Sequence, residues 1–348
     1  MYSSIRPGQV WLDTNGNRIQ AHGGSVLYID GVFYWYGENK EKTTLGSGIW
    51  HWGVRCYSST DMYNWKDEGI IIEPRPDEPD SLLHPSNSLM DRPHIIYNRD
   101  TGKYVCWIKC MQHSGAQVEG VLTADHILGP YTMVQHRLKP LGMNAGDFDL
   151  VVAPDGKAYY YFERVHTELI CADLTDDYTH VTGYYSTHFP LKRPPFVREA
   201  PAYFFRDGYH YLFTSGTTAY FPNPSEVAMA DTYHGPWTVL GNPHTDDRSN
   251  TSYNSQITSV FKHPLKEDLY IALADRWIPD FPERFGERFA SGQLQRDVEA
   301  HSINPCGAPP VDAMPTTSKA DYVWLPVRFD GKRPYIDWLD EWKIEDYK

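Results

Sequence analysis

Short aromatic runs, each opened by a glycine turn, recur along this chain at a steady spacing. They read Gly31-Val32-Phe33-Tyr34-Trp35-Tyr36, Gly102-Lys103-Tyr104-Val105-Cys106-Trp107, Gly156-Lys157-Ala158-Tyr159-Tyr160-Tyr161 and Gly208-Tyr209-His210-Tyr211-Leu212-Phe213. Runs of this kind suit strands, whose side chains alternate between two faces. Each is followed by a strand ending in a small residue or Thr and then Asp: Thr60-Asp61, Ala124-Asp125, Ala172-Asp173 and Ala230-Asp231. A fifth, degenerate copy runs from Asp268 to Asp275, and Gly129-Pro130-Tyr131-Thr132 and Gly235-Pro236-Trp237-Thr238 stand at the same place beyond that Asp. A repeat of roughly 50 to 70 residues holds a four-stranded antiparallel sheet with its hairpins, and sheets of that size protect their edges by radial stacking. The pattern therefore predicts an all-β chain, a five-bladed β-propeller forming one domain over residues 1–348. The stretch from about Pro279 to Ala320 breaks the pattern and is expected to be a long loop near one mouth. Tyr322-Val323-Trp324-Leu325-Pro326-Val327 and Pro334-Tyr335-Ile336-Asp337-Trp338 are expected to complete the last blade, with help from an N-terminal strand.

Composition agrees with many short strands: aromatics are 14% of the residues, with 11 Trp and 25 Tyr, and such residues favour sheets. A net charge of -13 argues against a nucleic-acid partner, since phosphate binding needs clustered Lys and Arg. No window approaches the run of about 18 apolar residues that a membrane helix needs. Met1-Tyr2-Ser3-Ser4-Ile5-Arg6-Pro7 lacks the apolar run of a secretory leader, so the chain as it stands is expected to be cytoplasmic. Cys56, Cys106, Cys110, Cys171 and Cys306 cannot all pair and are expected to be reduced thiols.

In a propeller the innermost strand of each blade delivers its first residues to the central channel. The polar residues just before those strands are Gln20-Ala21-His22-Gly23-Gly24, Asp91-Arg92-Pro93, Asp147-Phe148-Asp149, Arg198-Glu199 and Asn254-Ser255-Gln256. Carboxylates converging on one channel suit the cleavage of glycosidic bonds, which needs a protonated acid for the leaving oxygen and a second group across the ring. Crowding would raise the pKa of at least one of them. On the other reading they cap turns and pair with Arg92 and Arg198.

These residues carry a resemblance. The chain resembles glycoside hydrolase family 43, and within it the branch with galactan exo-1,3-β-galactosidases and exo-acting arabinofuranosidases and galactofuranosidases. The motifs are Ala21-His22-Gly23-Gly24, Tyr34-Trp35-Tyr36-Gly37-Glu38, Tyr57-Ser58-Ser59-Thr60-Asp61, Asp91-Arg92-Pro93, Asp155-Gly156-Lys157-Ala158-Tyr159, Arg198-Glu199-Ala200-Pro201-Ala202, Ser255-Gln256 and Asp275-Arg276-Trp277. The resemblance implies that Glu199 is the general acid and that Asp147 orients it and tunes its pKa. It places a water-handling amide at Gln256 and a sugar-holding carboxylate at Asp91, where relatives carry Glu. Glu38, His22, Thr217, Arg276 and Trp277 are implied as substrate-binding. The first-blade Asp that the family usually supplies as base is missing, which leaves Gln256, His22, Asp91 and Glu38 as candidates. Before Asp147, relatives read Arg where this chain has Gly146.

The implied activity is that of an exo-acting, inverting hydrolase releasing terminal galactose from 1,3-linked β-galactan or arabinogalactan side chains, with a terminal arabinofuranose or galactofuranose as the alternative. A propeller that binds carbohydrate without cleaving it is the alternative of another class. No cofactor is required on this reading, although the resemblance admits a structural Ca²⁺ on the propeller axis. The partner is an oligosaccharide or polysaccharide.

Overall fold

The computed structural model describes residues 1–191, 194–290 and 316–348. Its strands form five four-stranded antiparallel sheets arranged as the blades of a five-bladed β-propeller. Blade one holds β1 (His22–Ile29), β2 (Val32–Glu38), β3 (Val54–Ser59) and β4 (Lys66–Ile72). Blade two holds β5 (Ser88–Asn98), β6 (Lys103–Gln112), β7 (Gln117–Ala124) and β8 (Thr132–Leu138). Blade three holds β9 (Ala145–Val152), β10 (Ala158–Arg164), β11 (Glu168–Leu174) and β12 (Val181–His188). Blade four holds β13 (Arg198–Arg206), β14 (Tyr209–Gly216), β15 (Glu226–Ala230) and β16 (Thr238–Gly241). Blade five holds β17 (Gln256–Lys262), β18 (Tyr270–Arg276), β19 (Asp321–Asp330) and β20 (Arg333–Ile336). The first strand of each blade is innermost, and β1, β5, β9, β13 and β17 touch one another round the ring.

The aromatic runs fill the seams between blades. Trp35 of blade one packs on Trp324 of blade five at 4.5 Å between ring centroids, Trp107 of blade two on Tyr160 of blade three at 4.9 Å, and Tyr161 of blade three on Tyr203 of blade four at 5.5 Å. Large rings suit such seams because each buries much apolar area and ring pairs add directional attraction. Cys56, Cys106, Cys110 and Cys171 are buried free thiols; Cys306 lies outside the described residues.

Three expectations about the blades change. Among the described residues no N-terminal strand joins the last blade, whose four strands all come from residues after Ser255. The N-terminal segment instead meets the C-terminal segment through a bridge between Ile5 and Trp342, and the ring closes where the aromatic seam joins blades five and one. The stretch read as a long loop begins with a helix, α1 (Phe281–Ala290), and a short helical turn at Thr317–Lys319 leads into β19; the loop expectation between them lies outside the described residues. Finally, most of the polar residues read as preceding the innermost strands, His22, Asp91, Arg92, Asp147, Asp149, Arg198, Glu199 and Gln256, stand inside those strands, while Gln20, Asn254 and Ser255 do precede them, and each strand start holds an irregularity in the ladder. Register shifts fall between His22 and Ser25, between Asp91 and His94, beside Gly146 and Asp147, between Glu199 and Ala202, and between Ile257 and Ser259. A bulge inserts a residue, bends the strand and re-aims the side chains next to it. Left-handed backbone at Arg92 (φ 53°) and Ala200 (φ 48°) belongs to these bends.

Candidate active site

Four of the five bulged strand starts meet in one hydrogen-bonded network. Asp147, on β9, is clamped by two cations: Lys109 Nζ lies 2.9 Å from Oδ1 and Arg92 Nη2 lies 2.9 Å from Oδ2. Burial pushes its carboxyl up, but Arg92 and Lys109 prevail and hold it down at about 2. Arg92 also donates to Gln256 Oε1 at 2.5 Å, and Trp277 Nε1 points at the same oxygen from 3.4 Å. With two donors on its oxygen, the Gln256 amide must turn its nitrogen the other way. Nε2 donates to Ser215 Oγ at 2.8 Å and to Glu199 Oε1 at 3.3 Å. The alternative that these acidic residues pair with Arg92 and Arg198 thus holds in part, since Arg92 does pair with Asp147. Arg198 does not pair with Glu199; it donates to Thr214.

Glu199 has no Lys or Arg within ion-pair distance among the described residues. Burial, then the Asp147 and Glu163 carboxylates, raise it well above the ordinary carboxylate range against the pull of Lys109 and Arg92. Asp147 and Glu199 therefore differ in the way that acid chemistry needs: two cations hold one carboxyl low, while burial and two carboxylates hold its neighbour high.

Asp91 on β5 accepts from Trp50 Nε1 at 2.7 Å through Oδ1, with Lys40 Nζ 3.5 Å away. Its other oxygen, Oδ2, faces Lys109 Nζ at 3.6 Å, beyond hydrogen-bond distance. Glu38, on β2, is buried against Lys40 Nζ at 2.7 Å and accepts from the Arg92 backbone N–H at 2.9 Å. Gly23 makes room for it: with φ +62°, a Cβ there would stand 2.3 Å from Glu38 Oε1.

The remaining predicted residues are placed differently. His22 is fully buried, and neither ring nitrogen is available, since Nδ1 bonds Asp275 Oδ1 at 2.9 Å and Nε2 faces the Tyr322 hydroxyl at 3.3 Å. The ring stacks on Tyr322 and fixes the seam of blades one and five, which removes His22 from the candidates for a base and for a sugar contact. Trp277 lines a cavity with Gln256, Asn223, Asn254 and Tyr220. Thr217 is buried after β14 and its hydroxyl has no partner among the described residues, an uncommon state for a buried polar group. Arg276 points away from the channel. It donates to the Tyr253 and Asn254 carbonyls, crosses Trp338 at 5.6 Å, and lies against Gly8. A contact with substrate does not follow from that placement. Arg276→Ala is expected to lower stability by about 1–2 kcal/mol through lost packing and hydrogen bonds, read as a drop in Tm, while KM stays within about twofold of wild type.

Several groups in the site escaped the sequence reading. Lys109 is a cation in the otherwise apolar run Tyr104-Val105-Cys106-Trp107-Ile108, a signal that could have been read. Trp50 reaches Asp91 from the β2–β3 connection, and Tyr220, from the β14–β15 connection, packs on Trp50 at 6.0 Å and on Trp277 at 5.2 Å. Neither loop carries a local signal. Among the described residues, no group of His, Cys, Asp and Glu is placed to hold a metal ion. Asp275, the carboxylate beside His22, accepts from His22, the Gly23 N–H and Thr258 Oγ1. No helix among the described residues is long and apolar enough to cross a membrane.

The model of the family described as glycosyl hydrolases family 43 matches residues 18–280. Among solved structures, a GH43 β-1,3-galactosidase is 29% identical with a TM-score of 0.79, over 100% of this chain and 65% of that one. A second GH43 β-1,3-galactosidase, solved with galactodeoxynojirimycin, is 29% identical with a TM-score of 0.78, over 98% of this chain and 100% of that one. An exo-β-1,3-galactanase from Phanerochaete chrysosporium, solved with β-1,3-galactotriose, is 25% identical with a TM-score of 0.78, over 99% of this chain and 68% of that one. The chain thus spans about two thirds of the length of two of these relatives. No curated protein matches it by sequence.

Proposed function

The chain belongs to glycosyl hydrolases family 43, and from that membership we propose that it is an exo-acting, inverting enzyme releasing terminal galactose from 1,3-linked β-galactan or arabinogalactan side chains. The hydrolase activity goes with the family. The choice of galactose is supported by the likeness to β-1,3-galactosidases and to an exo-β-1,3-galactanase. The observation that carries the mechanism is the contrast between two carboxylates, the buried Asp147 clamped by Lys109 and Arg92, and the half-buried Glu199 held only by the Gln256 amide among the described residues.

In this reading Glu199 gives its proton to the glycosidic oxygen as the bond from that oxygen to the anomeric carbon breaks. Water attacks the anomeric carbon from the opposite face and loses a proton to a carboxylate there. Asp147 stays ionised, raises the proton affinity of Glu199 and fixes Arg92, which fixes Gln256. Asp91 is our choice for the group that receives the proton from water, because its Oδ2 has room for a donor. The amide of Gln256 already has two donors on its oxygen and two acceptors on its nitrogen, which supports a role in orienting Glu199. Thr217 and Trp277 are assigned to the bound sugar, and Glu38, with both oxygens held by Lys40 and the Arg92 N–H, to fixing the Asp91 bend from behind.

Proton NMR of the first product tests the reaction. The released sugar is expected to appear with inverted anomeric configuration, and no glycosyl-enzyme is expected to accumulate. Retention would require a carboxylate nucleophile and would overturn the scheme. Comparison of aryl galactopyranoside, arabinofuranoside and galactofuranoside substrates tests the sugar, with the galactopyranoside expected to be cleaved fastest.

A further inference from the structure

A space left by Gly146 is filled by a carboxylate that neither the motifs nor the reaction scheme has used. The β9–β10 ladder pairs Phe148 with Phe162 and Ala145 with Arg164, so the irregularity sets Gly146 and Asp147 opposite Glu163. The Glu163 side chain folds over the glycine: a Cβ at position 146 would stand 2.2 Å from Glu163 Oε2. Glu163 is buried, and its Oε1 accepts from the His166 backbone N–H at 2.7 Å, with His166 Nδ1 3.4 Å away.

We propose that Glu163 is a positioning residue of this reaction, a third carboxylate on the acid's side of the channel that acts through Glu199 from a seat made by Gly146. The proposal rests on the reading of Glu199 as general acid. Its physical basis is like-charge repulsion, since a carboxylate held near a second carboxyl disfavours ionisation of that group. Glu199, on β13, is raised by burial first, then by Asp147 and by Glu163, against Lys109 and Arg92. Asp147 raises Glu199 more than Glu163 does, but it stands against two cations of its own, Lys109 and Arg92. Glu163 has no Lys or Arg within ion-pair distance among the described residues, and the next residue, Arg164, pairs instead with Glu168. The partner facing Glu163 from its own turn is His166, whose imidazole is raised mainly by that hydrogen bond, with burial and Lys109 opposing. Where His166 is neutral, the charge of Glu163 acts on Glu199 without a counter-ion. That is the alkaline side, where loss of the Glu199 proton ends activity.

The test is the pH profile of kcat/KM of the full chain on an unactivated 1,3-linked galacto-oligosaccharide. Glu163→Gln keeps the shape and removes the charge, and is expected to move the basic limb to lower pH by about one unit. Gly146→Ala is the second variant. Gly146 is not in the left-handed region, so alanine suits its backbone; the new Cβ would meet the Glu163 carboxylate first and stand 3.3 Å from the Glu163 Cβ, so the flexible carboxylate end must swing away. Displacing the Glu163 carboxylate is expected to move the limb the same way by a smaller amount, which decides the matter even if Glu163→Gln fails to fold. A basic limb that stays put or moves upward in the folded variants overturns the proposal, because a purely structural Glu163 would change rate or stability without shifting the limb. Failure of the underlying reading is distinguishable: a wild-type profile with no basic limb, or turnover of the oligosaccharide by Glu199→Gln, removes the general acid and this proposal with it.

Discussion

Glu199→Gln is expected to lose at least about a thousandfold in turnover of an unactivated galacto-oligosaccharide, within the range that general acid catalysis supplies and equivalent to about 4 kcal/mol of transition-state stabilisation. An amide has no proton to give the leaving oxygen. It keeps the size of the side chain, and its oxygen can still accept from Gln256 Nε2, which lies 3.3 Å from Glu199 Oε1, so the fold and Tm should hold. An activated aryl galactoside should lose far less, because its leaving group departs with little protonation. The wild-type basic limb should lie well above the ordinary carboxylate range, since burial, Asp147 and Glu163 raise Glu199. The sign follows from the role: a general acid works only while protonated, so a raised pKa extends activity upward in pH. That limb should vanish in Glu199→Gln assayed on the aryl substrate. Rapid turnover of the oligosaccharide by this variant would sink the assignment.

The second large effect separates Asp91 from Gln256. Asp91→Asn is expected to cost at least about a hundredfold in kcat and to remove the acidic limb of the pH profile. The amide cannot take a proton from water, and Lys40 and Lys109 would lose a shared counter-charge. Gln256→Ala should also be severe, because Arg92, Ser215 and Glu199 all bond to that amide. Gln256 has no ionisation in this range, so its loss should lower the rate and disturb the basic limb while leaving the acidic limb in place. If Asp91→Asn retains an acidic limb and most of its turnover, while Gln256→Ala is inactive, the amide handles the water and Asp91 only holds sugar. Both variants should be measured on an oligosaccharide, since an activated substrate would mask the demand on the acid.

The sequence by itself determined the blades, because what makes a blade is local. Gly31, Gly102, Gly156 and Gly208 open the hairpins through left-handed backbone that glycine adopts at little cost. The aromatic runs after them supply the buried rings, and a seam accepts any large ring at the right parity. Asp91, Asp147, Glu199 and Gln256 could be picked out because they recur at equivalent places in a repeat, and radial symmetry turns equivalent places into one channel. The same logic overreached at His22 and Arg276, where strand parity decides direction. His22 stands at a bulge and closes the seam on Asp275 and Tyr322, and Arg276 follows Asp275 and so points to the other face. Lys40, Trp50 and Tyr220 reach the site from connections whose course no periodicity encodes, and Glu163 reaches it only because the β9–β10 irregularity leaves Gly146 beneath it. The division of labour between Asp147 and Glu199 lay furthest from the sequence. Both are carboxylates at a strand start, and nothing in their neighbours along the chain distinguishes an ionised group from a protonated one. Tertiary structure alone sets two cations from blade two on Asp147 and an uncharged amide from blade five on Glu199, and proton affinity follows the charges nearby in space, wherever they stand in the chain.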